Sequence, residues 1–164
     1  MSRADDIAKI VAQEHALVFS DFDEHVAFEL GSILYRRAVA EELRFVMDVR
    51  TWDRQLFFAA MPGTSVDNSE WVRRKFNSVR RYHKASYRLF LERDEVGLLP
   101  PISGADSADF VAAGGGFPIR VTGAGIIGSV TISGLPSRED HNVVVAALCQ
   151  YLDKDVAVHC LAPE

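Results

Sequence analysis

The chain has 164 residues, of which 48% are hydrophobic and 25% charged, and this composition is typical of one soluble globular domain spanning residues 1–164. A formal net charge of −5 argues against nucleic acid as a partner. The longest apolar run, residues 56–61, is far shorter than the roughly 20 residues a membrane-spanning helix needs, so we expect no membrane partner either.

The two cysteines, Cys149 and Cys160, form no CxxC motif and no framework of disulfides. A chain of this size buries enough surface to fold without cross-links. Free cysteines of this kind favour a reducing compartment, so we expect a cytoplasmic protein.

Hydrophobic spacing predicts a helix over residues 4–17 and a short strand over residues 17–20. A second helix follows and runs to about residue 42, with Asp21 or Asp23 capping its first turn. This explains the acidic cluster 21–25 more simply than a metal site does.

Two strands are predicted after the second helix. Residues 45–50 alternate between apolar and polar side chains, which indicates a strand with one buried face. Residues 56–61 are apolar throughout, which predicts a central strand covered on both sides. Gly31, in the preceding helix, predicts close packing by a neighbouring chain, because a mid-helix glycine is otherwise costly.

One long helix is predicted from Asn68 or Ser69 to about residue 92. Residues at spacings of three and four form a stripe that we expect to be buried. The stripe contains Val72, Phe76, Val79, His83, Ser86 and Phe90. Residues 70–90 carry seven bases and one acid, a charge of +6 that leaves −11 on the remainder. Either a binding surface or a solvated helix accounts for this asymmetry.

The rest of the chain predicts a loop over residues 94–105 and a short helix over residues 106–111, ended by Gly114. Residues 117–121 and 126–133 alternate cleanly around a glycine-containing turn and predict a hairpin. In the final helix, Ser137 is the expected cap and His141 is expected to be exposed.

These elements predict an α+β fold. Because several strands are joined by hairpins, we expect a five-stranded, mostly antiparallel sheet with helices on both faces.

No catalytic motif and no metal-ligand spacing occurs, so the residues assign no reaction and leave open whether the protein is an enzyme. The most informative segment is Gly114, Gly115 and Gly116. Bare glycine amides admit close approach of an anionic ligand, and a tight turn leading into a strand is the alternative explanation.

The run GGGFPIRVTGAGIIGSVTISGLPSREDHNVVVAAL resembles the haem-degrading-domain, or GlcG-like, family. The runs LVFSDFDEHVAFELGS, QLFFAAMPGTSVDN and WVRRKFNSVRRYHKASY resemble its branch known as uncharacterised protein family 0303. The resemblance covers nearly the whole chain. It implies a profilin-like α/β/α sandwich and a homo-oligomer, either a dimer or a larger ring. Some relatives bind haem or other tetrapyrroles, so haem is the cofactor that the resemblance suggests.

Two functional hypotheses follow. In the first, the protein binds a flat anionic ligand such as haem. Its propionates contact the amides of residues 114–116 together with Arg73 and Arg80, and His83 approaches the metal. In the second, the protein is a non-catalytic oligomeric interaction module whose basic helix meets the acidic part of another copy, and whose glycines serve packing.

Overall fold

The computed structural model describes residues 2–93 and 105–163 of the chain. The helices are α1 (Arg3–Ala16), α2 (Glu24–Ala40), α3 (Val66–Tyr82), α4 (Ser86–Glu92), α5 (Ser137–Tyr151) and α6 (Val156–His159). The strands are β1 (Val18–Phe19), β2 (Val46–Thr51), β3 (Gln55–Ala60), β4 (Gly116–Val121) and β5 (Gly125–Ser133). The predicted loop 94–105 lies outside the described residues except for residue 105. In the described ranges, no helix combines the length and apolar character needed to cross a bilayer.

The five strands form one sheet in the order β1-β4-β5-β2-β3. β1 pairs with β4 in parallel, and every other pairing in the sheet is antiparallel. β4 and β5 form the hairpin expected from their alternating sequence. The predicted α+β fold, with a five-stranded and mostly antiparallel sheet, is therefore confirmed.

Helices cover the two faces of the sheet unequally. On one face, α2 packs on β2 and β3, α5 packs on β4 and β5, and the two helices contact each other. On the opposite face, α3 packs on β2, β4 and β5. The main hydrophobic core lies on the α2 and α5 face, where Leu30, Met47, Val130 and Leu148 are buried. The α3 face of the sheet is more polar and includes the buried residues Asp48, Ser129 and Thr131.

The prediction of a central strand over residues 56–61 is wrong. The strand is β3, at the edge of the sheet, and α3 does not cover it. Phe58 consequently remains 48% exposed, while its neighbour Phe57 packs against α2. An uninterrupted apolar run indicates burial of both faces, and here the second face of the strand is exposed in the single chain.

The single long helix predicted up to residue 92 is two helices. α3 ends at Tyr82, and His83 adopts a left-handed conformation with φ of 53°. After this break the chain resumes as α4, which begins at Ser86. The helix also starts earlier than expected, with Ser65 as the N-cap. The periodic stripe did not reveal the break because histidine, unlike glycine or proline, carries no strong signal for a helix end.

Two predicted details near the last hairpin are also wrong. Residues 106–111 form a turn and not a helix, in which the Asp106 carbonyl accepts hydrogen bonds from the amides of Asp109 and Phe110. Pro136 is the N-cap of α5, and Ser137 is its first helical residue. Proline next to the first turn fixes the entry of the chain without supplying a capping oxygen.

The expected cap at Asp23 is confirmed in α2, and the close contact at Gly31 comes from the same chain and not from a neighbouring one. The Asp23 carboxylate accepts a hydrogen bond of 2.9 Å from the Val26 amide and caps the helix. Gly31 lies directly against the Phe57 ring, because a Cβ atom at this position would stand 2.3 Å from it. Glycine here allows α2 to lie close to the edge strand.

Candidate functional site

The glycine segment lies inside the fold. Gly114, Gly115 and Gly116 are all buried. A Cβ atom on Gly114 would come within 1.8 Å of the Ser137 carbonyl oxygen, and Gly115 has φ of 121°. The Gly116 amide donates a 2.9 Å hydrogen bond to the Ser86 hydroxyl. These contacts favour the packing explanation for the glycines and leave the Gly116 amide engaged within the protein.

Lys75 and Asp140 form a buried ion pair next to these glycines. The Lys75 ammonium lies 2.9 Å from Asp140 Oδ2 and donates a second hydrogen bond of 3.0 Å to the Ile132 carbonyl. The side chains are only 3% and 2% exposed. Asp140 Oδ1 accepts from the Leu135 amide at 3.1 Å, which ties the first turn of α5 to the end of β5.

Burial governs the titration of both groups. It raises the pKa of Asp140 to about 6, against the opposing effect of the Lys75 charge. It also lowers the pKa of Lys75, which Asp140 partly offsets. Each group is therefore closer to its neutral form than it would be in water.

Lys75 is one of the seven bases of residues 70–90, for which the sequence predicts a binding surface or a solvated helix, and for Lys75 this prediction is wrong. Lys75 is 2% exposed and follows Val72 by three residues and precedes Val79 by four, so it shares their buried face. That spacing was the available signal. Asp140 was expected in the first turn of the last helix and lies there, but its partner on α3 could not be inferred from local pattern.

A cleft of about 270 Å³ opens beside the ion pair. Its lining consists of Asp67, Asn68, Trp71, Lys75, Ala113, Ser133, Gly134, Leu135, Ser137 and Asp140. The cleft therefore lies between the first turns of α3 and α5 and the end of β5.

Arg73, expected to bind a ligand, is engaged within the chain. Its guanidinium contacts Glu70 at 3.0 Å, Asp109 at 2.9 Å and the Ala108 carbonyl at 2.8 Å. These bonds fasten the turn 106–111 to α3.

Arg80 and His83 lie at the exposed end of α3. Arg80 forms no hydrogen bond or ion pair with any described residue, and it lines a surface depression of about 430 Å³ with Asn77, Arg81 and Phe110. His83 is exposed, so its expected place on the buried stripe is wrong. The left-handed backbone at the end of α3 turns its side chain out of the helix packing.

The His83 ring stacks on the Trp52 indole, with centroids 5.9 Å apart and planes 1° from parallel. Trp52 is held in place because its indole nitrogen donates a 3.0 Å hydrogen bond to the Ile126 carbonyl. No described residue forms a hydrogen bond with either nitrogen of the His83 imidazole. We call the group Trp52, Phe76 and His83, with Arg50, the Trp52–His83 surface.

Arg50 completes this surface on the sheet side. Its guanidinium lies over the Phe76 ring, 4.7 Å from the centroid, and Phe76 contacts Trp52 at 5.7 Å. Behind Arg50, the buried Asp48 carboxylate accepts from the Gln55 amide and lies 3.8 Å from Arg50 Nε. Burial raises the pKa of Asp48.

The six expected ligand residues therefore fall into three places. Arg80 and His83 share the exposed end of α3, Arg73 anchors a turn, and the three glycines are buried beside Lys75 and Asp140. The prediction missed Trp52, whose role depends on a sheet contact that local pattern does not reveal. Within residues 2–93 and 105–163, no three His, Cys, Asp or Glu side chains form a cluster suited to a metal ion.

Curated relatives match the chain over nearly its full length. A UPF0303 protein of Mesorhizobium japonicum is 52% identical over 165 residues, covering 100% of this chain and 99% of the relative. A UPF0303 protein of Brucella melitensis is 50% identical over 160 residues, covering 94% of this chain and 95% of the relative.

Solved structures share the fold at low sequence identity. The crystal structure of the Ybr137w protein has a TM-score of 0.83 at 22% identity, covering 93% of this chain and 91% of that one. The crystal structure of a PduOC:heme complex has a TM-score of 0.67 at 19% identity, covering 78% of this chain and 93% of that one. A family model described as "Haem degrading protein HbpS-like" matches residues 22–149. The chain belongs to this HbpS-like haem-degrading protein family, together with the UPF0303 proteins.

Proposed function

We propose that the protein binds haem, or another anionic tetrapyrrole, on the Trp52–His83 surface. The observation that carries the proposal is the His83 side chain, which is exposed, held by its stack on Trp52, and without a hydrogen-bond partner in the described part of the chain. Membership of a haem-degrading protein family and the fold shared with a haem complex support the choice of ligand.

The residues on this surface fit a haem group. The His83 imidazole would hold the haem iron, because stacking on Trp52 occupies a ring face and leaves the ring nitrogens accessible. Arg80, one helical turn before His83, is exposed and suited to a propionate. When bound, haem would supply iron chemistry, and these residues would hold and orient it.

We also propose that the protein is a homo-oligomer in the cytoplasm. The apolar residues of β3 lie at a sheet edge that bears no proline or charged residue between Gln55 and Ala60. Such an edge pairs readily with another strand, and natural monomers usually protect it. Cys149 and Cys160 are both free thiols, which is consistent with a reducing compartment.

The experiment is a haemin titration of the whole chain, followed in the Soret band. The test variant is His83→Gly, because glycine accepts the left-handed backbone that alanine would strain. The matched control is His25→Ala, which removes an exposed histidine from the first turn of α2.

We expect saturation at one haemin per chain and an affinity at least about tenfold weaker for His83→Gly, a loss of about 1.4 kcal/mol. Arg80→Ala should weaken binding by about threefold, as for an exposed ion pair. His25→Ala should bind like the wild type. Equal affinities for His83→Gly and the wild type would contradict His83 as the residue that holds the iron. The absence of a saturable shift in the Soret band would reject haem binding altogether.

A further inference from the structure

A second site lies away from the Trp52–His83 surface, at the cleft beside Lys75 and Asp140. Residues from α3, α5 and the end of β5 meet here around an amine and a carboxylate 2.9 Å apart. Both charged side chains line a cleft of about 270 Å³, which is room for a small metabolite and too little for a tetrapyrrole.

One hydrogen of the Lys75 ammonium has no acceptor among the described residues. Lys75 Nζ carries three hydrogens, and two of them are directed to Asp140 Oδ2 and the Ile132 carbonyl. A Cβ atom on Gly115 would lie 2.9 Å from the same nitrogen. Glycine at this position therefore allows the amine to pack directly against the start of β4 as well as meeting the φ of 121°.

A buried ion pair alone is weak evidence of stabilisation. Desolvating two charges costs several kcal/mol, and apolar residues of similar volume often serve a core equally well. Because this pair also lines a polar cleft, a role in binding or reaction explains its presence better than a role in stability does. Burial moves both groups toward their neutral forms, which favours an uncharged and nucleophilic lysine amine.

We propose that Lys75 forms a Schiff base with a small, uncharged, hydroxylated aldehyde or ketone bound in this cleft, with Asp140 as the proton-transfer group. The Ser133 and Ser137 hydroxyls and the Asn68 amide line the cleft and are suited to hydrogen bonds with substrate hydroxyls. Asp67, exposed at the cleft, adds a negative charge that disfavours an anionic carbonyl compound.

The proposed step balances without a further reactant. The Lys75 ammonium transfers a proton to the Asp140 carboxylate, and the neutral amine forms a C–N bond with the carbonyl carbon. The carbonyl oxygen takes up two protons through Asp140 and leaves as water, while the nitrogen loses its remaining proton to the Asp140 carboxylate. Amine and carbonyl thus become imine and water, with no change in oxidation state.

The test is reductive trapping of the whole chain with dihydroxyacetone and cyanoborohydride at neutral pH, followed by proteolytic digestion and mass spectrometry. The chain has three other lysines, Lys9, Lys84 and Lys154, all more exposed than Lys75. They act as internal controls, since none of them lines the cleft.

We expect the reduced adduct on Lys75 at a level at least about tenfold above that on each other lysine, because burial lowers the pKa of Lys75 and favours its nucleophilic neutral form. Lys75→Arg should abolish this adduct and leave the other three lysines labelled as before. Equal or weaker labelling of Lys75 in the wild type would overturn the proposal, whatever the stability of the variant.

A second arm uses pyruvate as the probe and Asp67→Asn as the variant. In the wild type, dihydroxyacetone should label Lys75 more than pyruvate does, because the Asp67 charge disfavours the pyruvate anion. Asp67→Asn should reduce the difference in Lys75 labelling between the two probes. Preferential labelling by pyruvate in the wild type would overturn the assignment of an uncharged substrate.

Discussion

The burial of His141 makes the folded chain sensitive to acid. The ring is fully buried between Tyr87 and Phe117, and one nitrogen lies 2.9 Å from Gln13 Oε1. The sequence predicts an exposed histidine in the first turn of α5, and this prediction is wrong. Burial lowers its pKa from 6.5 to about 3, with Arg138 acting in the same direction and Asp6 against it.

The pH dependence follows from this shift. Between pH 6.5 and about 3 the unfolded chain protonates His141 and the folded chain does not, so stability falls as the pH is lowered. We predict a contribution of up to about 1.4 kcal/mol per pH unit in this window. In His141→Gln, the free energy of unfolding should decrease less steeply as the pH is lowered. Urea denaturation from pH 7 to pH 4 measures this free energy.

The comparison with the variant is needed because Asp140 acts in the opposite direction. Its pKa is raised to about 6, so its protonation stabilises the folded chain as the pH falls toward 4. Asp140 is present in both proteins, so its contribution cancels in the difference. Parallel pH profiles for His141→Gln and the wild type would contradict the role assigned to His141.

At the scale of elements, the glycine segment determines how closely α3, α5 and β4 pack. Gly115 has φ of 121°, and a Cβ atom there would lie 2.4 Å from the Ile132 carbonyl oxygen. Gly123 offers a matched comparison, since its φ is 78° and a Cβ atom would meet nothing within 4 Å.

We predict that Gly115→Ala destabilises the chain by about 3 kcal/mol or more, because steric overlap adds to backbone strain. Gly123→Ala should cost about 1–2 kcal/mol from the backbone alone. Urea denaturation of both variants measures the difference. Similar losses in the free energy of unfolding for the two variants would contradict a steric role for Gly115, because they would show that its surroundings relax easily.

The five strands, their order along the chain and the hairpin β4–β5 could be predicted because they depend on local periodicity and turn residues. The edge position of β3 could not, since the apolar pattern of its sequence does not say which strand lies next to it. For the same reason, the contacts of the candidate site could not be predicted from local sequence pattern. Arg80 and His83 were named from residue type, whereas the pairings of His83 with Trp52 and of Lys75 with Asp140 join residues distant in sequence.

For the molecule as a whole, the surface left open on β3 predicts self-association. Phe58 is 48% exposed on the face that α3 leaves uncovered. Phe58→Lys should shift the chain toward monomer, because a charge at an edge strand opposes pairing. Light scattering after size-exclusion chromatography measures the mass. Val66→Lys, at an 81% exposed position at the start of α3, is the control and should leave the mass unchanged.

The most direct test of the account is rescue of the ferric haem complex by free imidazole. His83→Gly should remain folded, because relief of the left-handed backbone, about 1–2 kcal/mol, offsets the loss of stacking on Trp52, about 0.5–1.5 kcal/mol. Electron paramagnetic resonance should show histidine ligation in the wild type, its loss in His83→Gly, and its return when imidazole is added. An identical spectrum for the wild type and for His83→Gly without imidazole would contradict His83 as the ligand.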